Sequence, residues 1–267
     1  MKKILTAVLL LCLLSPALAR AEGPLCETFV FGQSSLGRDL VCVRIGPGDA
    51  ENRFLLVFAV HGFEDRFARD GALLKETAEK LIVLLAAETD FPENCSVYIV
   101  PCANPDGLYE GVSNVSFGRL NAEGLDINRD FPAGWVRRTS AANRTGGAPF
   151  ASCEARALRD LVLSVSPRWA ADVHGYVNRV KYASNRAMAA YFASKDVLDM
   201  PFEKWQSGGM LCAWLDTLTD GALLIELPNP LKNGNVNVLK DGYADDMALR
   251  LFRAVTGWLR ENPLPAE

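Results

Sequence analysis

His61 and His174 are the only two histidines in the 267-residue chain, and each directly follows an apolar, β-prone run. In α/β sheets ligand sites gather at strand carboxyl ends, where the chain leaves the core and becomes accessible. Histidines at strand ends also serve purely structural ends, so position alone does not make them ligands. Glu64 adds to the case. In His61-Gly62-Phe63-Glu64 the two ligating side chains can turn back toward one ion, and Gly62 eases the tight backbone between them. With His174 as third ligand the set is His2Glu, which leaves the fourth position of a tetrahedral zinc for water. Zinc brings the pKa of such water to ~7, so hydroxide is available at neutral pH. The expected cofactor is one Zn2+ ion held by His61, Glu64 and His174.

The loop Asp126-Ile127-Asn128-Arg129-Asp130-Phe131-Pro132 carries a second kind of chemistry. The arginine fork can hold a carboxylate with two hydrogen bonds, and Asn128 can add a donor. Asp126 can accept the second ring N–H of a ligating histidine and so fix its tautomer. A salt-bridged loop arginine is the alternative reading of the same residues.

Taken in order, several short motifs form a longer pattern. They are His61-Gly62-Phe63-Glu64, Asn104-Pro105-Asp106-Gly107, Gly118-Arg119-Leu120-Asn121 leading into the Asp126 to Pro132 loop, Asp172-Val173-His174-Gly175-Tyr176, and Leu224-Ile225-Glu226-Leu227. This ordered set resembles the zinc carboxypeptidase family typified by carboxypeptidase A, over roughly Leu40 to Leu227. The resemblance implies that His61, Glu64 and His174 bind zinc and that Asp126 supports a zinc histidine from behind. It also implies that Arg119 stabilises the oxyanion of the scissile carbonyl and that Asn128 and Arg129 grip the substrate's terminal carboxylate. Glu226 takes the place of the general base. A carboxylate on an apolar strand beside an activated water has reason to carry a proton from that water to the leaving amine, and an unpartnered buried glutamate is otherwise costly.

The sequence departs from the family pattern in three places. The family's mobile tyrosine precedes a Ser-Gly-Gly segment, whereas Ser207-Gly208-Gly209 here follows Lys204, Trp205 and Gln206. Trp205 can cap a substrate pocket but cannot donate a phenolic hydrogen bond. The position that tunes the side-chain pocket falls near Leu211, which implies apolar or uncharged side chains. Asp130 replaces a common asparagine, and is expected to weaken carboxylate binding or to favour a zwitterionic end such as diaminopimelate carries.

The elements that must position these groups alternate along the chain. Leu40 to Ile45, Phe54 to Val60, Ser96 to Pro101, Trp169 to Val173, Val180 to Ala183 and Ala222 to Leu227 read as strands. Gly71 to Ala87, Ser152 to Val165, Ala187 to Val197 and Ala244 to Leu259 read as helices. Leu73, Leu74, Ala78, Leu81, Ile82 and Leu85, for instance, recur at helical spacing. Strands interleaved with helices argue for an α/β domain with a sheet covered on both faces, and the resemblance implies that this central sheet is mixed and twisted. The stretch Ala103 to Phe150 carries little periodicity, and loops of that length are usually functional.

At 49% apolar residues the chain can bury a sizeable core. A net charge of −4 with no basic stripe argues against a nucleic-acid partner. Met1-Lys2-Lys3, the apolar run Ile4 to Leu14 and Ala17-Leu18-Ala19 read as a secretory signal over residues 1–21, ahead of a catalytic domain over 22–267. That run is too short for a membrane span, so a periplasmic or secreted protein is expected. Cys26, Cys42, Cys95, Cys102, Cys153 and Cys212 then form an even set suited to disulfides, with Cys26–Cys42 and Cys95–Cys102 as candidate pairs. The expected reaction is hydrolysis of the C-terminal peptide bond of a peptide with a free carboxylate, with peptidoglycan-derived peptides among the substrates. A zinc amidase or N-deacylase and an inactive peptide-binding relative are the alternatives.

Overall fold

The computed structural model describes residues 23–111, 113–205, 207–236 and 238–264; the proposed signal segment, 1–21, lies outside them. Period-two burial organises the centre. In β3 (Asn52–Phe58), Phe54, Leu56 and Phe58 enter one hydrophobic cluster while Leu55 and Val57 enter another. The two clusters lie on opposite faces of one sheet, because successive strand side chains point to opposite sides. One cluster is closed by α1 (Gly71–Ala86), α4 (Arg186–Ala193) and α6 (Tyr243–Glu261). The other is closed by α3 (Cys153–Val165) and α5 (Leu211–Leu215).

The remaining strands are β1 (Cys26–Gln33), β2 (Asp39–Ile45), β4 (Cys95–Val100), β6 (Trp169–Gly175), β7 (Arg179–Tyr182), β8 (Phe202–Lys204) and β9 (Ala222–Leu227). With β3 they form an eight-stranded sheet in the order β1-β2-β4-β3-β6-β9-β7-β8. The central strands β4, β3, β6 and β9 run parallel, while β1–β2, β2–β4 and β7–β9 pair antiparallel. This is the mixed, doubly covered sheet expected from the sequence. The parallel strands read as continuous apolar runs because both of their faces are buried. A short helix, α2 (Pro105–Glu110), and a strand outside the sheet, β5 (Ser113–Leu120), occupy the start of the stretch that lacked periodicity.

The disulfide expectation is overturned: all six cysteines are free thiols. Cys42 stands opposite Phe29 and Cys26 opposite Ile45 in the β1–β2 ladder. The offset of three residues separates the candidate pair by about 10 Å along the strands, beyond disulfide reach. Cys95 opens β4 and Cys102 lies past its end, so an extended strand holds that pair about 20 Å apart. Among the described residues no helix is long and apolar enough to cross a membrane.

Candidate active site

His174 is the penultimate residue of β6, whose Trp169, Ala171 and Val173 face the α1/α6 side. Alternation therefore turns Asp172 and His174 to the α3/α5 face. Beyond the end of β3 the chain turns through Ala59, at φ 48°, to bring His61 alongside. Gly62 is required there: a Cβ would lie 2.2 Å from the carbonyl carbon of Gly107. The Gly62 N–H donates to the Gly118 carbonyl at 2.9 Å, which brings β5 and Arg119 beside His61.

Ligand-capable atoms of His61, Glu64 and His174 all lie within 4.8 Å of one another, and the three residues are buried. Glu64 Oε1 is 2.8 Å from Nδ1 of His174, and Oε2 is 3.4 Å from Nδ1 of His61. The outer nitrogens are both occupied. His61 Nε2 lies 3.0 Å from Asp126 Oδ1, and His174 Nε2 lies 2.9 Å from Asp172 Oδ1. Each carboxylate accepts the Nε2 proton, which turns both Nδ1 atoms inward toward Glu64. Two imidazole nitrogens and one carboxylate are a donor set that suits a zinc ion.

The electrostatics follow from this packing. Burial drives the Glu64 carboxyl upward, but the charges of His61 and His174 overcome it and bring the group down to about 2. Asp126 is lowered against the same burial, with His61 and Arg119 responsible. For His174, burial acts downward, yet Asp172 and Glu64 raise its pKa well above the ordinary value. Asp70 supports the ligand loop from below by accepting the backbone N–H groups of Glu64, at 2.5 Å, and Arg66, at 2.8 Å.

Glu226 is brought in by β9, where it pairs with His174 in the parallel register and with Arg179 of β7 on its other side. Burial raises its pKa, while His174 and Lys181 pull against that rise. Arg119 donates to the Ala142 carbonyl at 2.9 Å and to Asp126 at 3.3 Å, and its Nη1 is 3.4 Å from His61 Nδ1. Thus five of the predicted groups, His61, Glu64, His174, Arg119 and Glu226, share one locus, with Asp126 behind His61.

The others are arranged differently. Asn128 is 1% exposed; its Oδ1 accepts the Leu211 N–H at 2.9 Å and its Nδ2 sits 3.0 Å from His174 Nε2. Arg129 donates to the Asn128 carbonyl at 2.7 Å. The Leu211 side chain is fully buried in the α3/α5 cluster, so only its N–H bears on the site. Trp205 packs on Met210, Cys212, Ala213 and Leu224, with the Lys181 ammonium 5.0 Å from its ring centre.

Asp130 is taken up by contacts within the fold. It accepts Ala151 N–H, Ser152 N–H and Ser152 Oγ–H at 3.1, 2.7 and 2.8 Å, and so anchors the start of α3. The residue that sequence reasoning left without a role is Asp172. Its signal was present, since a carboxylate two positions before a strand histidine must share its face. The second oxygen of Asp172 is buried without a partner among the described residues. The glycines of Ser207-Gly208-Gly209 are explained by close approach: a Cβ on Gly208 would lie 1.7 Å from the Gly134 carbonyl oxygen.

Residues 15–201 match the family model described as zinc carboxypeptidase, peptidase family M14. Glu226 lies beyond that match, and its position beside His174 rests on the sheet register. The chain is 32% identical over 213 residues to bacteriocin BCN5 of Clostridium perfringens, covering 78% of this chain but only 23% of that protein. It is 24% identical to murein peptide amidase A of Escherichia coli K12, covering 74% of this chain and 80% of that one. In structure it is similar to the murein-tripeptide amidase of Escherichia coli O157, with a TM-score of 0.62 at 24% identity, covering 92% of this chain and 97% of that one. It is also similar to carboxypeptidase A of Helicoverpa armigera, with a TM-score of 0.69 at 17% identity over 87% of this chain and 67% of that one. With the family model spanning most of its length, the chain belongs to the zinc carboxypeptidase family, M14, and is a zinc metallopeptidase.

Proposed function

We propose that this protein is an exported metallocarboxypeptidase that hydrolyses the C-terminal peptide bond of peptidoglycan-derived peptides. The observation that carries the reading is the convergence of His61, Glu64 and His174 within 4.8 Å, with Glu226 next to His174 in register. Kinship with a murein peptide amidase supports the substrate class. The basic, then apolar, amino-terminal sequence supports export.

In this reading His61, Glu64 and His174 hold one zinc ion, and Asp126 and Asp172 orient the two histidines. When bound, the ion supplies Lewis-acid polarisation and a water acidified to ~7. Glu226 accepts a proton from the attacking water and delivers it to the leaving amine as the C–N bond breaks. Its raised pKa suits both halves of that transfer. Arg119 donates hydrogen bonds to the oxygen that gains charge. Arg129, with Asn128 fixing its loop, receives the terminal carboxylate of the substrate.

The test is turnover of a peptide library by the zinc-loaded protein, with Glu226→Gln as control. The expected outcome is retained zinc and a loss of hydrolysis of about 10²- to 10⁴-fold, the usual weight of general-base catalysis. Equal rates in both proteins would reject the assigned base. The amidase names of the relatives favour a second reading, cleavage of an N-acyl amide. An acylated amino acid assayed beside a peptide with a free C-terminus separates the two.

A further inference from the structure

Two cross-strand rows lie on the α3/α5 face of β6, β9 and β7. The first is His174, Glu226 and Arg179; the second, one step deeper, is Asp172, Leu224 and Lys181. Residues two apart on a strand share a face, so Lys181 lies on the same side as Glu226. Arg179 is already paired with Glu203 at 3.4 Å. Lys181, half-buried, stands opposite Glu203 in the β7–β8 register but makes no ion pair within 4.0 Å among the described residues, Glu203 being taken up by Arg179.

What fixes the Lys181 ammonium is the face of Trp205, 5.0 Å away at the ring centre. Such a cation–π contact is a weak electrostatic attraction to the ring face. It orients the ammonium but uses none of its N–H donors. Trp205 is itself braced by Met210, Cys212, Ala213 and Leu224. The enclosed space among Lys181, Trp205, Cys212 and Leu224 is about 10 Å³, no more than one water needs. A ligand group therefore meets the ammonium at the outer rim and not beneath the ring.

The direction of proton transfer says which part of a substrate arrives there. Glu226 hands its proton to the leaving amine, so the residue bearing that amine lies on the Glu226 side of the ion site. β7 is the next strand beyond β9, which sets Lys181 under that residue's side chain. We propose that Lys181, held on Trp205, binds a carboxylate carried by the side chain of the leaving residue. An anionic or zwitterionic side chain is then selected over a purely cationic or apolar one. The expectation attached to Leu211 pointed to uncharged side chains, but the Leu211 side chain is in the core and the rim belongs to a cation. This inference rests on the peptidase reading, since it takes the position of the leaving amine from it.

Three peptides identical except for a terminal diaminopimelate, 2-aminoadipate or lysine test it. The first two carry a side-chain carboxylate and the third does not. Binding is measured by calorimetry to the zinc-loaded Glu226→Gln protein, with and without Lys181→Met or Lys181→Arg, and turnover is measured in the parent enzyme and in its Lys181→Met variant. The first two peptides are expected to bind about 10- to 100-fold more tightly than the third, the range of one hydrogen bond to a charged group. Lys181→Met should abolish that preference, and Lys181→Arg should retain it. A preference that survives Lys181→Met, or an equal weakening of all three peptides, overturns the proposal. If the preference depends on Lys181 but no peptide is cut, the anion site stands and the peptidase reading falls. If all three are cut without regard to Lys181, the reverse holds.

Discussion

Each histidine facing the ion site is anchored through its outer nitrogen by a buried carboxylate, Asp126 for His61 and Asp172 for His174. These anchors set the tautomer, so their loss should be felt as metal affinity. Asp172→Asn is expected to weaken zinc binding about 10- to 100-fold, read by competition with a chromophoric chelator. An unchanged constant would mean that the strand backbone alone holds the ring. His174→Ala should go further and leave substoichiometric zinc after dialysis; full occupancy there would show the third ligand to be misassigned. A proton balance follows from the same contacts. Against its burial, Asp172 and Glu64 raise the pKa of His174, so the metal-free protein keeps the ring protonated to higher pH than a free imidazole, and zinc must displace that proton. Zinc affinity should therefore climb about tenfold per pH unit while the pH stays below the folded-state pKa, and then level off. Calorimetry in buffers of different ionisation heat should count about one proton released at pH 7; none released would place His174 as neutral before binding.

At the scale of elements, the site depends on two strand ends, β3 and β6, and on one turn between β3 and α1. Gly62 sits where that turn crosses the backbone of Gly107 and Leu108, with no room for a methyl group. Gly62→Ala is expected to cost about 1–3 kcal/mol of stability, the usual range for overpacking, and to weaken zinc binding by displacing His61. Urea denaturation and chelator competition check the two effects together; a stable variant with native affinity would show that the turn has slack. The strands that carry His174 and Glu226 were legible because a parallel strand buried on both faces writes itself as an unbroken apolar run. The helices α1, α3 and α6 were legible from their 3.6-residue stripe. What escaped was held by tertiary contacts. β1 buries no residue fully, and its short Phe29-Val30-Phe31 run is only partly covered, while α5 has five residues, too few to display a period. Asp130 was misread for a related reason: its partners, Ala151 and Ser152, lie 21 and 22 residues away. The paired cysteines failed likewise, since an even count carries no information about distance.

For the molecule as a whole, the cluster around His61, Glu64 and His174 ties the ends of the hydrogen-bonded strands β3, β6 and β9 to the β5 segment outside the sheet. Zinc that binds only the folded protein adds RT ln(1 + [L]/Kd), about 4 kcal/mol at a free zinc concentration of 1,000 times Kd. For a domain of this size each kcal/mol moves the melting temperature by ~2–4 °C, so chelation is expected to lower it by about 10 °C at pH 8. The sign of the pH dependence can be worked out for both forms. In the metal-free protein, the folded-state pKa of His174 is raised. Its contribution to stability is then full below the ordinary histidine value of 6.5 and is lost as the pH rises through the folded value. Glu64 is depressed to about 2, so its contribution is present above the ordinary carboxylate range and disappears only in strong acid. The metal-free cluster is therefore best held at mildly acidic pH, by an imidazolium between two carboxylates. Zinc competes with that same proton, so its own contribution grows as the pH rises. The gap in melting temperature between zinc-loaded and chelated protein should consequently widen from pH 5.5 to pH 8, as scanning calorimetry on both forms would record. A gap that stays constant over this range would mean that the ion and the proton do not share His174, and with that the zinc site as assigned would be lost.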